Sequence, residues 1–142
     1  MQVKDAMNPK VIVATKRISV KEAARIMTKF KIGSLVILEK EEIIGIITES
    51  DIIRKVVAAG QDESNVLLEQ VMTKEVVTVD AEKDLGEACQ MMVDHKIKRM
   101  PVLYEGNLVG IITTTDIIAV EPKLIAELAK IMLFSEKQMV AG

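Results

Sequence analysis

The sequence predicts an α+β fold built from two β-α-β-β-α repeats, packed sheet to sheet about a pseudo-two-fold axis, with an extra C-terminal helix. Three observations predict it. The first is internal repetition: displaced by 65 residues, Val3–Ile53 aligns with Leu68–Ile118 without a gap and is identical at 15 of 51 positions. The second is a hydrophobic period that switches, in the same order within each copy, between that of a strand and that of a helix. The third is size. With 142 residues, 49% of them apolar, the whole chain can bury a core, whereas half of it cannot do so comfortably, so the two copies are expected to share one.

The boundaries follow from the repeat: residues 1–60 form repeat one, 61–67 a short polar linker, 68–121 repeat two, and 122–142 a C-terminal helix and tail. Val11–Ala14 and Val76–Val79 are short apolar stretches suited to strands. Ser19 with Glu22, and Asp84 with Glu87, have capping-box spacing and open helices over about Val20–Phe30 and Leu85–His95. Val20, Ala23, Ala24 and Met27, like Leu85, Ala88, Cys89 and Met92, recur at i, i+3, i+4, i+7 and put one apolar face inward. Two hairpins follow, Ser34–Leu38 with Ile43–Thr48 and Met100–Tyr104 with Leu108–Thr113, the second turning at Glu105-Gly106-Asn107. A second helix leaves each hairpin at Thr48 and Thr113, stopping at Gly60 in repeat one and interrupted by Pro122 in repeat two. Lys123–Lys137 then sets Leu124, Leu128, Ile131 and Met132 on one helical face, to pack on the module or on another copy.

Composition narrows the function. Lys and Arg number 19 against 21 Asp and Glu, there is no Trp, one Tyr and two Phe, so nucleic acid is an unlikely ligand. One cysteine and one histidine allow neither an internal disulfide nor a His/Cys metal cage. No apolar run reaches the length of a membrane span, and Lys4, Asp5, Lys10, Lys16 and Arg17 fall where a signal peptide would be apolar, so a cytoplasmic location is expected. Cys89 lies on a buried stripe opposite Ala24 in the other copy and reads as an inert core residue.

Most repeated identities are core-type, but Lys31/Lys96, Thr48/Thr113 and Asp51/Asp116 are not. Thr48 and Asp51 sit three residues apart where a strand becomes a helix, and Thr113 and Asp116 repeat this behind the same Gly-Ile-Ile. An Asp carboxylate there can accept from both hydroxyls of a ribose, and the Thr hydroxyl with first-turn N–H groups can meet a phosphate. The same spacing also serves as a capping box with no ligand at all. Lys31 and Lys96 read either as phosphate contacts or as solvated helix ends suited to the dipole.

The β-α-β-β-α order, Met7 and Met72 ahead of the first strands, and the endings Gly45-Ile-Ile-Thr-Glu-Ser-Asp51 and Gly110-Ile-Ile-Thr-Thr-Thr-Asp116 resemble tandem CBS domains, a pair of which is called a Bateman module. The resemblance covers Val3 to about Val120. It implies a regulatory, non-catalytic module that binds AMP, ADP, ATP or S-adenosylmethionine between its repeats, pairs as a homodimer and modulates a separate protein. Residue by residue, it implies ribose contacts from Asp116 and Asp51, and phosphate contacts from Thr113, Thr48, Lys96, Lys31, His95 and Arg99. It implies an adenine pocket from Val77, Thr78, Met100, Pro101 and Ile111, with Ile12, Val13, Leu35 and Ile46 in the other copy. Repeat two continues Lys98-Arg99-Met100-Pro101-Val102, matching the family's basic then Pro-Val pattern, whereas repeat one has Gly33-Ser34-Leu35 there. Asp116 with Thr113 and Lys96 is therefore the expected better site, for a phosphate-rich ligand.

Two other function classes compete. A scaffold with degenerate pockets would need the two Asp residues only for capping. An enzyme would need a nucleophile with a base, or a metal, and no such constellation is visible in the sequence.

Overall fold

A computed structural model describes residues 1–131 and 141. Repeat one runs α1 (Val3–Ala6), β1 (Val13–Ala14), α2 (Val20–Phe30), β2 (Ser34–Glu39), β3 (Glu42–Thr48) and α3 (Glu49–Ile52), continued by a π-helical turn, Ile53–Val57. Repeat two runs α4 (Leu68–Val71), β4 (Val79–Asp80), α5 (Leu85–His95), β5 (Arg99–Tyr104), β6 (Asn107–Thr113) and α6 (Thr114–Val120), followed by a 3-10 turn, Pro122–Leu124, and α7 (Ile125–Leu128). Each repeat holds one three-stranded sheet, β1-β2-β3 or β4-β5-β6, with the first pair parallel and the second antiparallel. The hairpin registers superpose at the 65-residue offset: Ser34 faces Thr48 as Arg99 faces Thr113, and a bulge follows Ile37 as it follows Val102.

The helix limits expected for α2 and α5 agree with those observed, because their caps are specific. The Ser19 hydroxyl accepts from Glu22 N and the Asp84 carboxylate from Gly86 N, and at the far ends Lys31 and Lys96 close the helices in the left-handed conformation. Both hairpin turns are two-residue turns with positive φ at each residue, Lys40-Glu41 and Glu105-Gly106, so Asn107 belongs to the strand and not to the turn. The first strands are shorter than the apolar stretches suggested. Pairing starts at Val13 in repeat one and at Val79 in repeat two, where Pro101, with no N–H, stands in place of Val36.

The core differs from the single shared one expected. Most buried apolar residues separate into two clusters, one around Leu35, Ile37 and Ile47, the other around Met100, Val102 and Ile112, with Val36 and Ile46 buried outside both. What joins the repeats is an exchange of their leading turns. Val3 of α1 is fully buried in the core of repeat two, and Leu68 of α4 in that of repeat one. Backbone bonds fix both: Val3 N donates to Lys83 O at 2.9 Å and Leu68 N to Ile18 O at 3.0 Å, positions that differ by the repeat offset. Asn8 pairs with Ile111, and Thr73 with Ile46, to complete the symmetry.

This exchange explains two repeated identities. The Met72 side chain lies over Gly45, and Met7 over Gly110, so close that a Cβ on either glycine would overlap the thioether. The C-terminal segment packs on the module: Leu128 is fully buried among repeat-two residues, with Leu124 and Ile131 against the same cluster. Met132 and the rest of the expected helix to Lys137 lie outside the described residues. No helix among the described residues is long and apolar enough to cross a membrane.

Candidate functional site

A cleft of about 440 Å³ opens between the repeats. Repeat one supplies Ile46 from β3, Thr48, Glu49, Ser50 and Asp51 from the turn into α3, and Arg54 from the π-helical turn. Repeat two supplies Thr73, Glu75, Val76 and Val77 ahead of β4, then Lys96, Ile97, Lys98, Arg99 and Pro101 around the start of β5. Apolar walls from Ile46, Val77 and Pro101 therefore meet four cations, Arg54, Lys96, Lys98 and Arg99, alongside the acids Glu49, Asp51 and Glu75.

Both Thr-x-x-Asp segments form capping boxes. Thr48 N donates to Asp51 Oδ2 at 3.1 Å and Asp51 N to Thr48 Oγ1 at 3.1 Å; the matching bonds in repeat two are 2.9 and 3.2 Å. The two acids nonetheless differ. Asp51 is buried, and its Oδ1 faces Arg54 Nη2 at 3.3 Å and Lys55 Nζ at 3.4 Å. Asp116 is half-buried, and among the described residues no ion pair to it is formed.

Arg99 reaches across from repeat two to repeat one. A Cβ on Gly33 would stand 2.6 Å from Arg99 Nη1 and 3.0 Å from Glu49 Oε1, so the missing side chain at Gly33 makes room for both. Burial pushes the Arg99 pKa below the ordinary arginine value, and the Glu49 carboxylate acts in the opposite direction. A partly desolvated cation attracts an anion more strongly than a solvated one would.

Lys96 is exposed, with its backbone at φ 54° and its N–H bonded to Met92 O and Val93 O. Its left-handed conformation, like that of Lys31, is a strained one for a non-glycine residue.

The structure brings together Thr48, Asp51, Lys96, Arg99, Val77, Pro101 and Ile46 of the residues expected from the sequence. It corrects their grouping. Lys96 and Arg99 line the cleft of Asp51 and Thr48 in the other repeat, with Arg99 lying beside Gly33 of repeat one. Thr113, Asp116, Lys31 and His95 do not line this cleft, and His95 is exposed at the end of α5. Met100 and Leu35 are fully buried and face the two cores, so neither can wall an adenine pocket. Ile12 packs on the repeat-one core, and Ile111 is tied to Asn8. Val13 and Thr78 line two smaller hollows at the hairpin ends.

The sequence does not single out Arg54, and it marks Lys98 only as part of the basic pattern ahead of Pro101-Val102, with no contact role. Arg54 could have been found from its place three residues beyond Asp51, on the same helical face as that acid. Among the described residues no group of three or more His, Cys, Asp and Glu is placed to hold a metal ion.

The CBS domain family model matches residues 3–58 and 68–123, the two repeats. An uncharacterized protein of Methanopyrus kandleri is 42% identical over 113 residues, 78% of this chain and 58% of its own length. The CBS domain-containing protein YhcV of Bacillus subtilis is 32% identical over 115 residues, 81% of each chain. The crystal structure of an uncharacterized conserved protein from Pyrococcus horikoshii superposes with a TM-score of 0.79 at 34% identity, covering 84% of this chain and 90% of that one. With the family model on both repeats, relatives alike along most of their length and the same tandem architecture, the chain belongs to the CBS domain family.

Proposed function

We propose that this chain is a regulatory module that binds an adenosine ligand (AMP, ADP, ATP or S-adenosylmethionine) in the cleft between its repeats and passes the ligand state to a partner protein. The observation that carries this reading is the convergence of Asp51 and Thr48 from one repeat with Lys96, Lys98 and Arg99 from the other around apolar walls. Such a cleft offers acceptors for a ribose, cations for a phosphate and a flat apolar slot for a base. A ligand that bridges the two repeats binds one relative arrangement better than another, which is all that transmission requires. Exposed Ile53 and Val57 on repeat one offer an apolar face through which two copies could pair.

Thermal unfolding of the protein alone and with each of the four ligands tests the reading. A ligand at about 100 times its dissociation constant adds about 2.7 kcal/mol, a rise on the order of 10 °C for a chain of this size. The rise should vanish in Asp51→Ala and persist in Asp116→Ala. A second reading, a scaffold whose cleft binds nothing, draws on the fact that both Asp51 oxygens already have partners within the chain. It predicts no rise with any ligand at millimolar concentration.

A further inference from the structure

A buried carboxylate needs a compensating cation, and Asp51, 3% exposed, has two. The two are not alike. Lys55 is 37% exposed and its Nζ also donates to Val71 O at 2.9 Å, so it is tied to the exchanged turn α4 beneath repeat one. Arg54 is 67% exposed, lines the cleft, and among the described residues bonds to Asp51 alone. Neither cation recurs: Ala119 and Val120 stand at the positions 65 residues on. Both lie on the π-helical turn, a geometry that often marks functional sites.

We propose that Arg54 is an exchangeable counter-ion of Asp51, a latch that makes the cleft discriminate phosphorylated from unphosphorylated nucleosides. The proposal rests on the adenosine reading above, with Asp51 receiving the ribose. A ribose diol needs the Oδ1 atom that Arg54 holds. When Arg54 leaves, Lys55 remains, and the buried carboxylate keeps one cation. The freed guanidinium then presents its planar fork to the cleft, where a phosphate can take two parallel N–H···O bonds from it. A bare nucleoside displaces Arg54 without offering it another anion. A nucleotide supplies one.

Isothermal titration calorimetry with adenosine, AMP and ATP on the wild type, Arg54→Ala, Arg54→Lys and Lys55→Met tests the latch. Arg54→Ala should weaken AMP and ATP about tenfold or more while leaving adenosine unchanged or bound more tightly. Arg54→Lys, which keeps the charge without the fork, should fall between. Lys55→Met should weaken all three ligands alike, because it removes the cation that stays. Should Arg54→Ala weaken adenosine and AMP by the same factor, or change neither, the latch is refuted while the adenosine reading stands. A selective loss of AMP and ATP in Lys55→Met with Arg54→Ala silent would also overturn it, by reversing the two roles. No heat from the wild type with any of the three ligands would refute both the latch and the adenosine reading. Arg54 is exposed, so Arg54→Ala should keep the wild-type unfolding midpoint within a few degrees, and Arg54→Lys supplies a second folded variant.

Discussion

Repeat one and repeat two share strand order and register and differ in chemistry. The residues that recur at the 65-residue offset set geometry: the capping boxes of Thr48-Asp51 and Thr113-Asp116, the left-handed Lys31 and Lys96, and the Gly45 and Gly110 that receive Met72 and Met7. The residues that do not recur set charge. Arg54, Lys55 and Glu49 in repeat one correspond to Ala119, Val120 and Thr114, while Lys98 and Arg99 in repeat two correspond to Gly33 and Ser34. One cleft thus draws its buried acid and Arg54 from repeat one and its other cations from repeat two. Duplication made two equivalent folds, and the unmatched positions made one of the two junctions basic.

The strongest test of the comparison concerns the exchange that joins the repeats. Leu68 belongs to repeat two in sequence and to the core of repeat one in space. Leu68→Ala should cost about 2–5 kcal/mol, the range for a buried leucine whose site cannot collapse. Leu128→Ala should cost a similar amount through the core of repeat two, and Val57→Ala, on an exposed face, about 0.5 kcal/mol or less. Urea unfolding midpoints measure all three. A loss under about 1 kcal/mol for Leu68→Ala would mean that the leading turn does not belong to the other repeat's core.

Next in size is the contrast between the two acids. Asp51→Ala removes a cap and a pair of charge-assisted contacts, and should cost about 2–3 kcal/mol, moderated by the exposure of Arg54 and Lys55. Asp116→Ala removes the cap alone, about 1 kcal/mol. Equal losses in chemical denaturation would show that the ion pairs at Asp51 contribute nothing beyond capping.

Most of the fold was legible because local signals carried it. Helices α2 and α5 have cap residues at both ends, and the hairpins have near-continuous apolar runs around short turns. The candidate site was only half legible. Thr48, Asp51, Lys96 and Arg99 stood out by repetition or charge, but the grouping of Lys96 with Asp51 depends on which repeat's turn docks on which core. That is a long-range choice, invisible to spacing along the chain. Met100 and Leu35 were misplaced for a related reason: a strand that is apolar nearly throughout does not declare which residues face the core.

Smaller effects should separate the two glycines under the methionines. The three atoms nearest a Cβ on Gly45 all belong to the Met72 side chain, which can turn away, whereas one on Gly110 would also stand 3.0 Å from the Asn8 carbonyl oxygen. Gly110→Ala should therefore cost about 1–3 kcal/mol and Gly45→Ala about 1 kcal/mol or less. The reverse order, measured by thermal or urea unfolding, would place the rigid contact at the other junction.

The smallest effect distinguishes the repeats by pH. Cys89 occupies the position of Ala24, 1% exposed on the inner face of α5, and burial first, then the Glu127 carboxylate on α7, pushes its pKa up, with Lys130 opposing. A free thiol in the unfolded chain loses its proton near pH 8.5, while the folded one keeps it to higher pH. Between those two values the unfolded state binds fewer protons, so stability falls as pH rises, by at most about 1.4 kcal/mol per pH unit. Below the unfolded value the contribution is fully present. Cys89→Ala abolishes this term, so the stability gap between wild type and variant should be constant from pH 6 to about 8 and shift toward the variant above about 8.5. Glu127→Gln should reduce the shift, since part of it comes from the α7 carboxylate. A gap that stays flat to pH 10 would mean that the thiol reaches water in the folded protein, and that α7 does not seal repeat two as nothing seals the exposed Ile53 and Val57 of repeat one among the described residues.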